Sequence, residues 1–426
     1  MQTAARYASQ ELIPAVLNTP FSIIKTRDQD KLPETIFMEQ KKADQLFPVS
    51  QKFQHDSLRK MNVIILIMES FSKEYCGFLN NGNGYTPFLD SLSKSGLVFI
   101  NTYANSKRSI EGIPAIVASM PHLMDESFIS SAYNTNYISA IAHLLKPYSY
   151  TSYFFHGGHN GTMGFENFSS LAGYQKYYGM NEYDGPKGDY DGNWGIYDEP
   201  FFKFMKRKLD TSKEPFSTAF FTLSSHHPYT IPGNLKKRFQ KGRNPVYESI
   251  EYADYALQQF FHEAQKSSWY KNTLFIITAD HTGPALTPEA TTSKGAFEIP
   301  LLFYAPSDTL LKGIRTDIAQ HIDIVPSILD YLHYNKSFSA FGHSLFGNNN
   351  RFAINYINNI YQGIDSNYVL LMDGETGSNM GYYDYRKDPL LQHKMDTLNS
   401  SAFKLLEQTK AALQQYRLHL KNNDLK

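Results

Sequence analysis

Ten side chains in this sequence have the type and placement to do chemistry. Asp280 and His281 stand side by side after an apolar run, in LFIITADHTG. A carboxylate oxygen and an imidazole nitrogen at one strand end make part of a divalent-metal site if further oxygen ligands converge on them. An Asp that caps the next turn is the bland alternative. Glu69 closes the run in IILIMES. A carboxylate ending a buried strand costs free energy unless it is paired or metal-bound, and a salt bridge or a helix cap would serve equally. Ser109, in ANSKRSIEGIPA, falls where a strand turns into a helix. Helix N-terminal amides favour an anion there, and Lys107 and Arg108 just before it could bind phosphate. In isolation Ser109 reads as an N-cap and the two bases as solvated. His226 and His227 in TLSSHHPYTIP are adjacent, so at most one of them faces a site. His156 and His159 in FFHGGHNG lie beside glycines that permit close approach of a ligand, although each alone reads as a structural histidine.

The elements that must position these residues follow an α/β rhythm. NVIILIM, LVFINTYAN, YTSYFFH, TAFFTLSS, NTLFIITA and IPLLFYAP read as strands. The first is an unbroken β-rich run, as expected of a parallel strand covered on both faces. TPFLDSLSKSG, SIEGIPAIVASM, YISAIAHLLKPY, ESIEYADYALQQFFHEAQKS and IDIVPSILDYL read as helices, and this alternation predicts a mostly parallel sheet flanked by helices. Glu69, Ser109, His156, His226 and Asp280/His281 all fall at or just beyond the C-terminal ends of predicted strands, the edge where open α/β sheets build their sites. Residues 1–60 show little helical period after about Leu17 and read as an extended lead-in that wraps the domain. Residues 61–347 carry the α/β pattern. In 348–426, FAINYINNIYQ and NYVLLMDGETG predict small antiparallel strands and SSAFKLLEQTKAALQQYRLHLKNN a terminal helix.

Composition excludes several classes. In 426 residues, 41 Lys plus Arg balance 41 Asp plus Glu, which argues against a broadly basic nucleic-acid binder. Cys76 is the one cysteine, so no intrachain disulfide forms. The longest aliphatic run, Val63 to Met68, is far too short to cross a membrane, and MQTAARYASQ lacks the apolar stretch of a signal peptide. Aromatic content is 15%, which either fills the core or supplies a lipid-facing surface.

Taken in order, strand-Glu, a hydroxyl 40 residues on, a His after a middle strand and Asp-His after a late one, the set resembles the alkaline phosphatase superfamily. More closely it resembles the lipoteichoic acid synthase-like branch that carries the broad sulfatase label. The matching segments, from NVIILIMESFS through TPFLDSLSKSGLVFINTYANSKRSIEGIPAI, FTLSSHHPYTIP, YADYALQQFF, NTLFIITADHTG and EIPLLFYAP to IDIVPSIL, span about residues 62–347 in the family's order. The resemblance implies an alkaline phosphatase-like three-layer sandwich with a small C-terminal antiparallel sheet and a terminal helix. It implies that Glu69, Asp280 and His281 bind one divalent metal, Mn²⁺ or Mg²⁺ with Zn²⁺ as the alternative. Ser109 stands at the family's Thr nucleophile and would be the fourth ligand. His226 and His156 would be pocket histidines, with His159, Lys107 and Arg108 as further substrate contacts.

Two departures stand out. The nucleophile position holds Ser instead of Thr, and the Trp-x-Arg that follows the first pocket His in the synthase is missing from HNGTMGFENF. The C/S-x-P-x-R motif of true sulfatases is also missing, which argues against sulfate-ester hydrolysis. The expected activity is a transferase that moves a phosphoglycerol- or phosphoethanolamine-type headgroup from a phospholipid to a glycan or lipid acceptor through a phospho-Ser109 intermediate. A phosphodiesterase or phosphatase and a catalytically silent ectodomain are the alternatives. The family's habit also implies transmembrane helices ahead of residue 1 and a catalytic domain on the extracytoplasmic face of the bacterial cytoplasmic membrane.

Overall fold

The computed structural model describes residues 32–239, 244–347 and 351–425. The part of the expected lead-in up to residue 31 lies outside the described residues. Fourteen strands are described: β1 (Ser50–Gln51), β2 (Asn62–Met68), β3 (Leu97–Tyr103), β4 (Thr151–His156), β5 (Lys176–Tyr178), β6 (Phe216–Phe221), β7 (Thr273–Ala279), β8 (Leu301–Tyr304), β9 (Gly313–Gln320), β10 (Phe338–Ser339), β11 (Ala353–Ile357), β12 (Ile360–Ile364), β13 (Tyr368–Asp373) and β14 (Asn379–Asp384). The α-helices are α1 (Gln40–Leu46), α2 (Pro87–Ser93), α3 (Ser109–Ala118), α4 (Ile141–Leu145), α5 (Phe165–Leu171), α6 (Asp198–Asp210), α7 (Val246–Ala264), α8 (Ile324–Tyr331) and α9 (Ser400–Asn422).

The central sheet has the order β5-β4-β6-β2-β7-β8-β3-β9. All its strands are parallel except β8, which runs against β7 and β3. Strands β2, β6 and β7 are buried along their whole length, because both faces of the sheet are covered. Alternate side chains of β2 enter two different cores. Val63, Ile65 and Ile67 join α3, α4, α5, α8 and α9 on one face, while Ile64, Leu66 and Met68 join α6 and α7 on the other. The period-2 geometry of a strand thus yields three layers. Register sets the site: Met68 pairs with Ala279, and Ile67 and His156 both pair with Phe221. The ends of β2, β4, β6 and β7 therefore lie level, and residues 69, 156, 222 and 280 emerge along one edge.

The small sheet runs β11-β12-β13-β14 and is antiparallel. It is stitched to the tail of β3: Asn105 Nδ2 donates to the Ile354 carbonyl at 2.7 Å, and Asn355 Nδ2 to the Ala104 carbonyl at 2.5 Å. Three expectations shift. The lead-in includes α1, which docks on α9 through Gln40 Nε2 to Gln415 Oε1 at 2.7 Å. The helix expected over YISAIAHLLKPY shortens to α4, because the backbone is still extended at Ala140, with ψ 152°, and tightens into a 3-10 turn over Lys146–Tyr148. The β8 run is a strand, as expected, but antiparallel. Among the described residues, no helix is long and apolar enough to cross a membrane.

Candidate active site

Each side chain at the central edge is fixed by a neighbouring strand. Beyond β2, the Glu69 amide donates to Thr222 Oγ1 at 2.8 Å, and the Glu69 carbonyl accepts from Ser225 Oγ at 2.6 Å. The chain after β2 is thus held to the chain after β6. Beyond β7, Asp280 Oδ1 accepts the amides of Ser70 and His281, both at 2.9 Å. Ser70 has a left-handed backbone, φ 59°, a conformation that a non-glycine residue keeps only where its surroundings enforce it. Its hydroxyl donates to Glu69 Oε1 at 2.5 Å. One residue therefore orients both carboxylates.

Ser109 is the first residue of α3 and is 4% exposed. The helix comes close because Gly112 has no side chain: a Cβ there would stand 2.4 Å from the Asp280 carbonyl oxygen. Ser106 Oγ donates to that same carbonyl at 2.6 Å. Ser109 Oγ then lies 3.2 Å from Glu69 Oε2 and 3.4 Å from His281 Nε2. His281 Nδ1 is engaged by the Thr282 carbonyl at 2.9 Å. That bond puts the proton on Nδ1 and turns the Nε2 lone pair towards the carboxylates, as a second shell does for a metal-ligating histidine. Nε2 is 3.2 Å from Asp280 Oδ2 and 3.8 Å from Glu69 Oε1.

The electrostatics of this cluster call for a cation. One donor atom each from Glu69, Asp280 and His281 lies within 4.8 Å of the others. Asp280 Oδ2 is buried with no hydrogen-bond donor, a costly state for a carboxylate oxygen. Burial, and then the charge of Glu69, push the Asp280 carboxyl up to about 7. Burial acts to lower His281, but Asp280 and Glu69 more than offset it and hold the imidazole above its ordinary value. Two carboxylates, one imidazole lone pair and a hydroxyl are a donor set that fits one divalent cation.

The remaining expected residues separate into two groups. His156 and His226 line a cleft that also contains Glu69, Ser109, Met163, Phe165 and Trp194. His156 is buried, and burial takes it down to about 4, so it is neutral. His226 Nδ1 pairs with the His227 carbonyl at 2.8 Å, and His227 is exposed, so one of the two adjacent histidines faces the site. The other group flanks the cleft without lining it. Lys107 Nζ donates to the Ala296 carbonyl at 2.7 Å, Arg108 Nε donates to Glu111 Oε1 at 2.5 Å, and His159 is exposed with its ring 6.0 Å from that of Tyr190. Sequence reasoning missed Ser70, Thr222 and Trp194. For Trp194 a signal was present: it is one of two tryptophans in the chain, set beside Gly195 in GNWG.

The sulfatase family model matches residues 61–334, and the chain belongs to that family. Within it the chain sits with the lipoteichoic acid synthase-like branch of the alkaline phosphatase superfamily. It is 26% identical over 363 residues to lipoteichoic acid synthase 1 of Bacillus subtilis, covering 76% of this chain and 54% of that protein. It is 25% identical over 373 residues to lipoteichoic acid synthase 2 of the same organism, covering 79% and 55%. The chain thus spans about half the length of these curated relatives. Among solved structures, a protein in the alkaline phosphatase superfamily from Vibrio parahaemolyticus superposes with a TM-score of 0.79 at 24% identity, covering 91% of this chain and 98% of that one. The lipoteichoic acid synthase LtaP from Listeria monocytogenes superposes at 0.74 and 17% identity, covering 90% and 98%. Both share the three-layer fold.

Proposed function

We propose that this chain is a metal-dependent phosphotransferase that carries a phosphoglycerol- or phosphoethanolamine-type headgroup from a phospholipid to a glycan or lipid acceptor, through an ester on Ser109. The observation that carries the reading is the buried hydroxyl of Ser109, 3.2 Å from Glu69 and 3.4 Å from His281, beside the unpartnered Oδ2 of Asp280. Glu69, Asp280, His281 and Ser109 would hold one divalent cation, and Mn²⁺ or Mg²⁺ suits these mixed oxygen and nitrogen donors. Bound there, such an ion lowers the pKa of a hydroxyl and neutralises charge on phosphoryl oxygens. Ser109 Oγ releases its proton to solvent and attacks phosphorus in line, and the bond to the lipid alcohol breaks as the phospho-Ser109 ester forms. His226 donates Nδ1–H to the His227 carbonyl, so it acts on the leaving group when Nε2 carries a second proton: that N–H then hydrogen-bonds the phosphoryl group and passes its proton to the leaving alcohol. The acceptor alcohol then attacks the ester and frees Ser109. A phospholipid donor would bring the chain to a membrane surface, and the likeness to lipoteichoic acid synthases favours the extracytoplasmic one.

The test is mass spectrometry of intact wild-type and Ser109→Ala protein after incubation with Mn²⁺ and mixed phospholipids. The reading predicts a wild-type adduct whose mass names the headgroup, absent from the variant. An adduct that disappears at the same rate with and without acceptor would make the protein a phosphodiesterase. The same adduct on the variant would remove Ser109 from the mechanism.

A further inference from the structure

A second cavity lies outside the cleft and shares no lining residue with it. Its volume is about 300 Å³, at the lower end of the range of about 300–1,000 Å³ that small-molecule sites occupy. Four stretches far apart in sequence enclose it: the end of α1, the turn after β9, the loop after β10 and the start of α9. One wall is apolar and fixed. The Phe47 ring meets those of His343 and Phe352 edge-on, at 5.8 and 6.0 Å, and both phenylalanines are buried.

The polar groups on the other walls are mostly donors without acceptors. Arg351 uses Nη2 on the carbonyls of Ser344 and Gly347, which fixes the guanidinium. Its Nε and Nη1 make no hydrogen bond among the described residues. The lysines of α9 that are ion-paired are Lys410 and Lys421, whereas Lys404 is exposed and unpaired. Asp323 is the acid in the lining and is 4% exposed. Its oxygens already accept amides, Oδ1 that of His343 at 2.9 Å and Oδ2 that of Gln320 at 3.2 Å. Burial raises Asp323 to about 6, against the charge of Arg351, so it is ionised at neutral pH. Burial, and then the charge of Arg351, takes His343 down to about 4, so it is neutral. Two cations and one carboxylate leave the cavity with one positive charge. A half-buried guanidinium without a counter-charge is destabilising, and a bound monoanion would remove that cost.

The charge count also selects among anions. A phosphate monoester is close to doubly charged at neutral pH and would set its surplus charge against Asp323. A single carboxylate balances the site. Its carbon skeleton then meets Phe47 and Phe352, and its hydroxyls meet the side-chain amides of Gln45 and Gln408, each of which both donates and accepts. We propose that this cavity is a second binding site, for a small hydroxylated monocarboxylate of the sugar-acid class, held at its carboxylate by Arg351 and Lys404. The site is independent of the reading of Ser109.

Calorimetric titration of the full chain with glucuronate, at pH 7 and fixed ionic strength, tests the proposal. One glucuronate per chain is expected, with glucose, which lacks the carboxylate, at least about tenfold weaker. Arg351→Gln is expected to weaken glucuronate by about tenfold. Because Arg351 also holds two carbonyls of its own loop, Lys404→Gln is the second variant: that side chain is exposed and makes no hydrogen bond among the described residues, and its loss is expected to weaken glucuronate by about threefold or more. No glucuronate binding by wild type, equal binding by both variants, or glucose binding as tightly as glucuronate would overturn the proposal. Glycerol 3-phosphate binding more tightly than glucuronate, and lost in Arg351→Gln, would give the cavity to phosphate esters and overturn the carboxylate assignment.

Discussion

Ser70 ties the two acidic donors together. Its amide holds Asp280 Oδ1 at 2.9 Å and its hydroxyl holds Glu69 Oε1 at 2.5 Å, from a left-handed backbone. Outer-shell partners of this kind tune metal affinity by about 10- to 100-fold. Ser70→Gly keeps the backbone fit and removes the hydroxyl, so it is expected to weaken Mn²⁺ binding by about tenfold while the circular dichroism spectrum stays that of wild type. Unchanged affinity would show that Glu69 needs no such support. Ser70 was not legible in the sequence, because its role depends on a backbone angle that brings residues 69 and 280 together. Glu69, Ser109, Asp280 and His281 were legible because each breaks or follows a marked local pattern: a carboxylate after five aliphatics, a hydroxyl at a strand-to-helix turn, an Asp-His after a buried run. Lys107 and Arg108 were legible as basic residues beside the hydroxyl. Their partners, the Ala296 carbonyl and Glu111, come from a distant segment and from the next helical turn, and only the fold reveals them.

At the scale of elements, α3 meets the end of β7 through Gly112. Gly112→Ala inserts a methyl group against the Asp280 carbonyl oxygen, where 2.4 Å is available. The helix must lift, which is expected to cost about 1–3 kcal/mol in denaturant unfolding and to abolish the Ser109 adduct. Wild-type stability would mean that the contact yields freely. Behind the site, His321 clamps β3 to β7: its Nδ1 accepts the Asn105 amide at 3.2 Å and its Nε2 donates to the Ala279 carbonyl at 2.8 Å. Burial pushes it down to about 3. Its folded value lies below the ordinary 6.5, so the stability it contributes is complete above pH 6.5 and is lost as pH falls towards 3. The advantage of wild type over His321→Gln in chemical denaturation is therefore expected to shrink between pH 7 and 4.5. An advantage independent of pH would mean that the ring is not held neutral.

The strands β2, β3, β4, β6 and β7 and the helices α3, α7 and α8 could be read from sequence, because hydrophobic runs mark the strands and helical periodicity the helices. Helix α6 was missed, since Phe201, Phe202 and Phe204 give it a strand-like composition. Strand β9 was missed too, because its first residues are exposed at the sheet edge and polar.

Across the whole molecule, the site draws on residues 69, 109, 280 and 281, which only the completed sheet brings together. Residues 351–425 belong to the same construction, since Leu405, Leu413 and Tyr416 of α9 share a core with Val63, Ile113 and Leu301. The aromatic excess is chiefly core: Trp269, Tyr75, Tyr103, Tyr252, Phe71 and Phe99 are among the largest fully buried side chains. A cation held by ends of several elements must stabilise the folded chain as a whole, by about 2.7 kcal/mol at a free concentration 100 times the dissociation constant. The central claim is that Glu69, Ser109, Asp280 and His281 hold one such ion, and its most direct test is calorimetric titration of the full chain with Mn²⁺, paired with thermal unfolding. The account predicts one ion per chain and a raised melting temperature for wild type, with both lost in Asp280→Asn. A wild-type chain that takes up no divalent ion, or an Asp280→Asn variant that binds it equally well, would contradict it.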